Sequence, residues 1–316
     1  MIYSGYFENN AIINGKKLFL VCGKSFDKLS FAEDILKRNP VRFGEFCPNP
    51  KYEDVMKGAG IFKEADTDTI LAVGGGSAMD VAKAIKYYCE TDAKIIAIPT
   101  TAGTGSEVTR FAVIYKDGEK MSLSADNILP DEVILEPSVL NNVPDYFKKT
   151  TMLDALCHAI ESYWSKASCD ESKALATKAI EDVLKYKNAY LNGTSEGNAG
   201  MLNAACLAGQ AINYTKTTAA HAMCYKLTTL YNLAHGHAVA VCLPEVWKIN
   251  KTSVPGITRE DFEELFKELQ LDYPHSDNRE KDLDILTDSV NAERLGNNPA
   301  AIDKKAIRDM YECILK

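Results

Sequence analysis

Hydrophobic positions change their spacing about halfway along the chain. Before residue 140 they gather in short runs: "KLFLVCG" (17–23), "DTILAVGGGS" (68–77), "AKIIAIPTT" (93–101) and "DEVILEP" (131–137). Each run is β-branched and bounded by Gly, Pro or Asp, and "AMDVAKAIKYY" between the second and third has helical spacing. Near-continuous apolar strands alternating with helices predict a parallel sheet covered on both faces. After "NNVPDYFKK" the pattern switches to the 3.6-residue period, in "TTMLDALCHAIESYWSK", "ESKALATKAIEDVLKYKNAYL", "MLNAACLAGQAI", "DILTDSVNAERL" and "DKKAIRDMYECILK". Pro144 followed by Asp145 suits the start of the first of these helices. The expected organisation is an α/β domain over 1–143 and an all-helical domain over 144–316.

Composition narrows the class without choosing a chemistry. The 316 residues are 46% hydrophobic and 25% charged, as in ordinary globular proteins. The net charge of −8 and the lack of a basic run argue against a nucleic-acid partner. No apolar run approaches the ~20 residues that span a bilayer, and the first residues do not read as a secretory signal. Nine scattered cysteines with no CxxC pair fit a reduced, cytoplasmic protein better than a disulfide or cysteine–zinc framework.

Two small-residue loops follow successive predicted strands. Gly74, Gly75, Gly76 and Ser77 lead into a helix expected from about Ala78, where close backbone approach and free N–H groups suit a pyrophosphate. A tight turn without a ligand fits this loop equally well, and the GxGxxG spacing of the common dinucleotide fold is absent. The second loop, "IPTTAGTGSEVT", is rich in hydroxyls at Thr100, Thr101, Thr104, Ser106 and Thr109. Open α/β sheets bind ligands beyond their strand carboxyl ends, so both loops are expected to face one crevice.

The helical half holds a possible metal constellation. Asp154 and His158 lie four residues apart and share one helix face. Three of the five histidines fall in "AAHAMCYKLTTLYNLAHGHA", where "YNLAH" breaks the helical pattern between His221 and His235. Two helices meeting at that break could aim both rings at Asp154 and His158. One carboxylate and three imidazoles suit a divalent ion such as Fe(II) or Zn(II). His237 lies about 200° round a helix from His235, so a supporting or surface role is expected. His275 stands alone in a polar loop.

Taken together, "GGGSAMDVAKAI", "PTTAGTGSEVT", "LDALCHAIE", "AAHAM", "AHGHAVA" and "SVNAERLGNNP" resemble the iron-dependent (group III) alcohol dehydrogenase family. The resemblance implies a dinucleotide-binding α/β domain with a parallel sheet, joined to an all-α metal-binding domain, a layout shared with dehydroquinate synthase. It implies Asp154, His158, His221 and His235 as metal ligands and NAD(P)H as cofactor. The implied cofactor positions are Gly23, Lys24, Ser25, Asn49, Gly74, Gly75, Gly76, Ser77, Asp80, Thr100, Thr101, Thr104, Ser106, Thr109 and Lys120. It also implies reversible hydride transfer between the nicotinamide and an aldehyde carbon, with a homodimer as the assembly.

Within the family, "TTAAHAMCYKLTTLYNLAHGHAVAVCLPEVW" is most similar to phosphonoacetaldehyde reductases, which form 2-hydroxyethylphosphonate. Relatives often carry a proton-relaying histidine where this chain has Tyr225, so Tyr225 or a water chain to a cofactor ribose hydroxyl, and more weakly His237, is expected to serve proton transfer. They also often carry an aspartate where this chain has Gly23, followed by Lys24 and Ser25, which favours NADPH over NADH. Arg110 and Lys226 are the expected partners for a phosphonate. The alternatives are a family member acting on an uncharged alcohol, aldehyde or polyol, a dehydroquinate synthase-like lyase, or a metal- and nucleotide-binding protein without catalysis.

Overall fold

The computed structural model describes residues 1–290 and 295–316. The strands are β1 (Ile2–Ser4), β2 (Leu18–Cys22), β3 (Val41–Phe43), β4 (Thr69–Gly74), β5 (Lys94–Pro99), β6 (Phe111–Lys116), β7 (Glu119–Ser124) and β8 (Glu132–Leu135). Helices α1 (Tyr6–Asn9), α2 (Ala32–Leu36), α3 (Tyr52–Glu64) and α4 (Gly76–Cys89) lie among them. Then follow α5 (Asp145–Trp164), α6 (Asp170–Leu191), α7 (Ser195–Thr215), α8 (Ala219–Tyr231), α9 (His235–Asn250), α10 (Arg259–Glu268), α11 (Arg279–Asp288) and α12 (Lys304–Ile314). Residues 291–294, shared by "DILTDSVNAERL" and "SVNAERLGNNP", lie outside the described residues.

Six strands form one parallel sheet in the order β1-β8-β5-β4-β2-β3. Alternate side chains of the buried strands enter different cores. Leu18, Leu20, Leu71, Val73, Ile96 and Ile98 join a core continuous with α5–α9. Phe19, Val21, Ile70, Ala72, Ile95 and Ala97 pack on the opposite face with Val55, Val81 and Ile85 of α3 and α4. This two-faced burial explains why these strands read as unbroken apolar runs.

From β2 the chain goes outward to β3, then returns to the other side of β2 as β4. The strand order therefore reverses between β2 and β4, and a crevice opens beyond their carboxyl ends. The β6–β7 hairpin stands apart from the main sheet. Its Asp117–Gly118 turn, with both φ angles positive, is the primed type that Asp-Gly favours. Among the described residues no helix is long and apolar enough to cross a membrane.

Candidate metal centre and cofactor crevice

The two glycine-rich loops meet at the strand ends. Gly74 is in register with Pro99, and the Thr100 amide donates to the Gly74 carbonyl at 2.9 Å. A Cβ on Gly75 would sit 3.3 Å from the Thr101 side chain, and one on Gly76 would sit 3.1 Å from Thr104. Helix α4 starts at Gly76, two residues earlier than expected, so Gly76 and Ser77 stand in its first turn. Gly23 is half-buried and Lys24 and Ser25 exposed just past β2, across the reversal point, while exposed Asn49 lies beyond β3. The crevice is thus bordered by Gly23–Ser25, Gly74–Ser77 and Thr100–Thr104.

Ser106 and Thr109 differ from expectation. Both are buried, and the Lys83 ammonium donates to their hydroxyls at 2.9 and 3.2 Å and to the Phe111 carbonyl at 2.8 Å. The Ser106 hydroxyl donates in turn to Asp80 at 2.9 Å. These groups brace the loop from beneath; they do not line it toward a ligand. Burial lowers the Lys83 pKa to about 8 and raises that of neighbouring Glu107 to about 7, with each charge partly offsetting the other's desolvation.

The second cluster lies where α5, α8 and α9 converge. Asp154 and His158 project from one face of α5, His221 from the first turn of α8, and His235 opens α9. The Nε2 atoms of His158, His221 and His235 lie 3.9, 3.5 and 3.8 Å from Asp154 Oδ1. A tetrahedral ion with bonds of about 2.1 Å sets its ligand atoms about 3.4 Å apart, close to these separations. Asp154 Oδ1 and His221 Nε2 are buried and have no hydrogen-bond partner. Buried polar atoms are rarely left this way, and a cation at their focus would satisfy both. The donor set therefore fits a divalent ion.

Each imidazole is turned by a partner on its other nitrogen. His158 Nδ1 lies 3.2 Å from the Gly103 carbonyl of the hydroxyl-rich loop. His221 Nδ1 bonds Glu161, and His235 Nδ1 lies 3.7 Å from the Cys224 thiol. Burial would raise the Asp154 pKa, but the three rings outweigh it and hold the carboxyl ionised. Burial depresses His158 to about 4, whereas Glu161 and Asp154 overcome burial at His221 and raise it. Asp154 is 2% exposed and the His221 side chain 2%, whereas the His235 side chain is 40% exposed, so the cluster opens on that side.

At that opening the Tyr225 ring stacks 6.0 Å from His235, and Lys120 of β7 lies 3.1 Å over the Tyr225 ring. Lys120 also helps to depress His235. The structure therefore brings Lys120 to the mouth of the cluster through the β6–β7 hairpin. Arg110 is directed elsewhere: its guanidinium pairs with Asp126 and donates to the Asn213 carbonyl at 3.2 Å. Lys226 is half-buried beside Tyr225 on α8.

His237 does not join the cluster. Its Nδ1 meets the Tyr146 hydroxyl at 3.0 Å and its Nε2 donates to the Asp272 carbonyl at 2.9 Å. Both ring nitrogens are hydrogen-bonded to groups outside the Asp154 cluster. His275 is exposed.

Two family models match, "Iron-containing alcohol dehydrogenase" over residues 7–137 and "Fe-containing alcohol dehydrogenase family, C-terminal" over residues 148–293. A 1-propanol dehydrogenase of Citrobacter freundii is 32% identical over 264 residues, 79% of this chain and 71% of its own length. The chain belongs to the iron-containing alcohol dehydrogenase family. It is also 29% identical to the NADPH-dependent butanol dehydrogenase of Clostridium saccharobutylicum, over 98% of this chain and 94% of that one. Among solved structures, the sulfoacetaldehyde reductase of Bifidobacterium kashiwanohense in complex with NAD+ superposes with a TM-score of 0.90 at 27% identity. That match covers 99% of this chain and 96% of the other. This chain is accordingly an NAD(P)-dependent alcohol and aldehyde oxidoreductase with a divalent metal.

Sequence reasoning named Asp154, His158, His221 and His235; the structure sets Asp154, His158 and His221 with donor atoms within 4.8 Å of one another, and His235 3.8 Å from Asp154 at the open side. It missed Glu161, the Gly103 carbonyl and Cys224. Glu161 follows Asp154 by seven residues and His158 by three, on the same helix face, and that spacing was the available signal.

Proposed function

We propose that this iron-containing alcohol dehydrogenase reduces an anionic aldehyde, phosphonoacetaldehyde, to 2-hydroxyethylphosphonate, with NADPH preferred over NADH. The observation that carries the reading is the cluster of four inward-facing donor atoms with Lys120 at its open side. Asp154, His158, His221 and His235 hold the ion, iron in preference to zinc on the family resemblance. Residues 1–143 bind the dinucleotide, and 144–316 supply the ligands. A homodimer is proposed on the family resemblance alone.

When bound, NAD(P)H supplies the hydride and the divalent ion supplies Lewis-acid polarisation of the aldehyde oxygen. The chain's own residues do the rest. Gly74–Ser77 and the loop at Thr100, Thr101 and Thr104 would hold the pyrophosphate. Lys24 and Ser25 meet the adenosine ribose phosphate. The Tyr225 hydroxyl, beside His235, delivers the proton that the nascent alcohol requires.

Lys120, rather than the expected Arg110, provides the positive charge for the phosphonate. The name of the sulfoacetaldehyde reductase described above, a protein of this fold, supports a small anionic aldehyde as the substrate class.

A steady-state panel of phosphonoacetaldehyde, sulfoacetaldehyde, propanal and butanal, each with NADPH and NADH, tests the proposal. The expected result is the highest kcat/KM with phosphonoacetaldehyde and NADPH. Preference for propanal or butanal would favour the second reading, a neutral-alcohol enzyme like the butanol and 1-propanol dehydrogenases.

A further inference from the structure

Glu161 is fully buried, and its carboxylate meets two different groups. Oε1 accepts from the Thr218 amide at 3.1 Å, the Thr218 hydroxyl at 2.6 Å, the Ala220 amide at 3.0 Å and the His221 amide at 3.4 Å. Oε2 bonds His221 Nδ1. Helix α8 starts at Ala219 and lacks a side-chain cap from its own N-cap residue, Thr218. Glu161 of α5 therefore closes the amino end of α8 with one oxygen and grips the first-turn histidine with the other.

We infer that Glu161 is a positioning residue that fixes the tautomer of His221, so that the Nε2 lone pair faces Asp154 and is open to a divalent ion. This rests on His221 being a ligand, as proposed above. A carboxylate can only accept, so the proton shared with Glu161 belongs on Nδ1, and in the neutral ring that a metal ion requires Nε2 is the bare nitrogen. That accords with the unpartnered state of Nε2. Of the three imidazole partners, Glu161 alone is charged; His158 has a carbonyl and His235 a thiol. The strongest constraint thus falls on the most deeply buried ring.

The chemistry of Glu161→Gln separates positioning from simple capping. A glutamine has one acceptor oxygen, and three of the four donors on Oε1 are backbone N–H groups that cannot reverse. The amide oxygen stays with them, so the cap survives and the NH2 group turns to His221 Nδ1. Nδ1 must then accept, the ring proton moves to Nε2, and the atom facing Asp154 can no longer ligate.

The test is Co(II) titration of metal-stripped wild type and E161Q. Affinity is read by chelator competition, coordination by the visible ligand-field bands, and metal-free stability by thermal melting. Wild type is expected to bind one Co(II) with four-coordinate bands. E161Q is expected to bind at least about tenfold more weakly with altered bands, and its metal-free melting temperature should be unchanged or raised. Equal affinity and identical bands in both proteins would overturn the inference and leave Glu161 a helix cap. If wild type itself takes up no Co(II), the ligand assignment fails, and the role of Glu161 with it. Should E161Q not fold, E161D keeps the charge but withdraws it from Nδ1. A tenfold loss there supports positioning, and wild-type affinity refutes it.

Discussion

Gly236 follows His235, a proposed ligand, in the first turn of α9, and replacing it with alanine sets two effects against each other. Alanine is the better helix former by about 1 kcal/mol, so local propensity alone predicts a more stable protein. The packing predicts the reverse. A Cβ at this position would lie 2.0 Å from the Thr150 carbonyl oxygen and 2.7 Å from Asp154 Cβ. Carbon and oxygen approach to about 3.3 Å, so α9 must retreat from α5 by about 1 Å. The first obstacle is backbone, which cannot rotate aside. Overpacking of this kind costs about 1–3 kcal/mol, enough to cancel or reverse the propensity gain.

The same retreat acts on the ion site. It would stretch the 3.8 Å separation of His235 Nε2 from Asp154 Oδ1 toward about 5 Å, beyond the about 3.4 Å span of a tetrahedral ion. Thermal melting of the metal-free protein and chelator-competition affinity for Zn(II) measure the two effects separately. G236A should melt no higher than wild type and bind Zn(II) at least about tenfold more weakly. A higher melting temperature together with wild-type affinity would refute the close-packed α5–α9 contact as the reason for glycine.

Four further substitutions bear on other parts of the structure. Glu107, raised from 4.5 to about 7 by burial, keeps its proton longer folded than unfolded. Stability from this group is therefore present below pH 4.5 and lost as pH rises to about 7, by up to about 3 kcal/mol. E107Q removes that loss, so its melting temperature should gain on wild type between pH 5 and 7; a constant difference would contradict the assignment. Arg110→Ala breaks a partly exposed ion pair worth about 0–1 kcal/mol and should leave phosphonoacetaldehyde turnover within about twofold, whereas Lys120→Ala should raise its KM at least about tenfold and that of propanal much less. Equal effects of Lys120→Ala on both aldehydes would remove it from the anion site. Lys24→Asp should shift the kcat/KM ratio for NADPH over NADH toward NADH by about tenfold, and an unchanged ratio would exclude Lys24 from the ribose phosphate.

The parts legible from sequence were those whose signal is local. β2, β4, β5 and β8 show themselves because strands buried on both faces have nowhere to put polar residues, and α5–α7 because their apolar face repeats every turn. The edge strands β1 and β3 are three residues each and carry no such signal. Asp117–Gly118 marks the β6–β7 hairpin, but nothing local shows that the hairpin carries Lys120 onto Tyr225. The ligand set is visible because Asp154 and His158 share a helix face and a helix break separates His221 from His235. Glu161 shares that helix face, but its role is not legible locally, since its partner, the amino end of α8, lies 57 residues away. The hydroxyls of Ser106 and Thr109 misled because Lys83, read as part of a helical pattern, turned out to be their buried partner.

The most direct test of the metal centre is Fe(II) titration of the stripped enzyme with NADPH oxidation followed on a saturating aldehyde. Turnover should start near zero, rise in proportion to added Fe(II) and level off at one equivalent per chain, with Asp154→Asn showing no rise. Full turnover in the stripped enzyme, indifferent to Fe(II) and to Asp154→Asn, would contradict the four-residue site as the seat of catalysis.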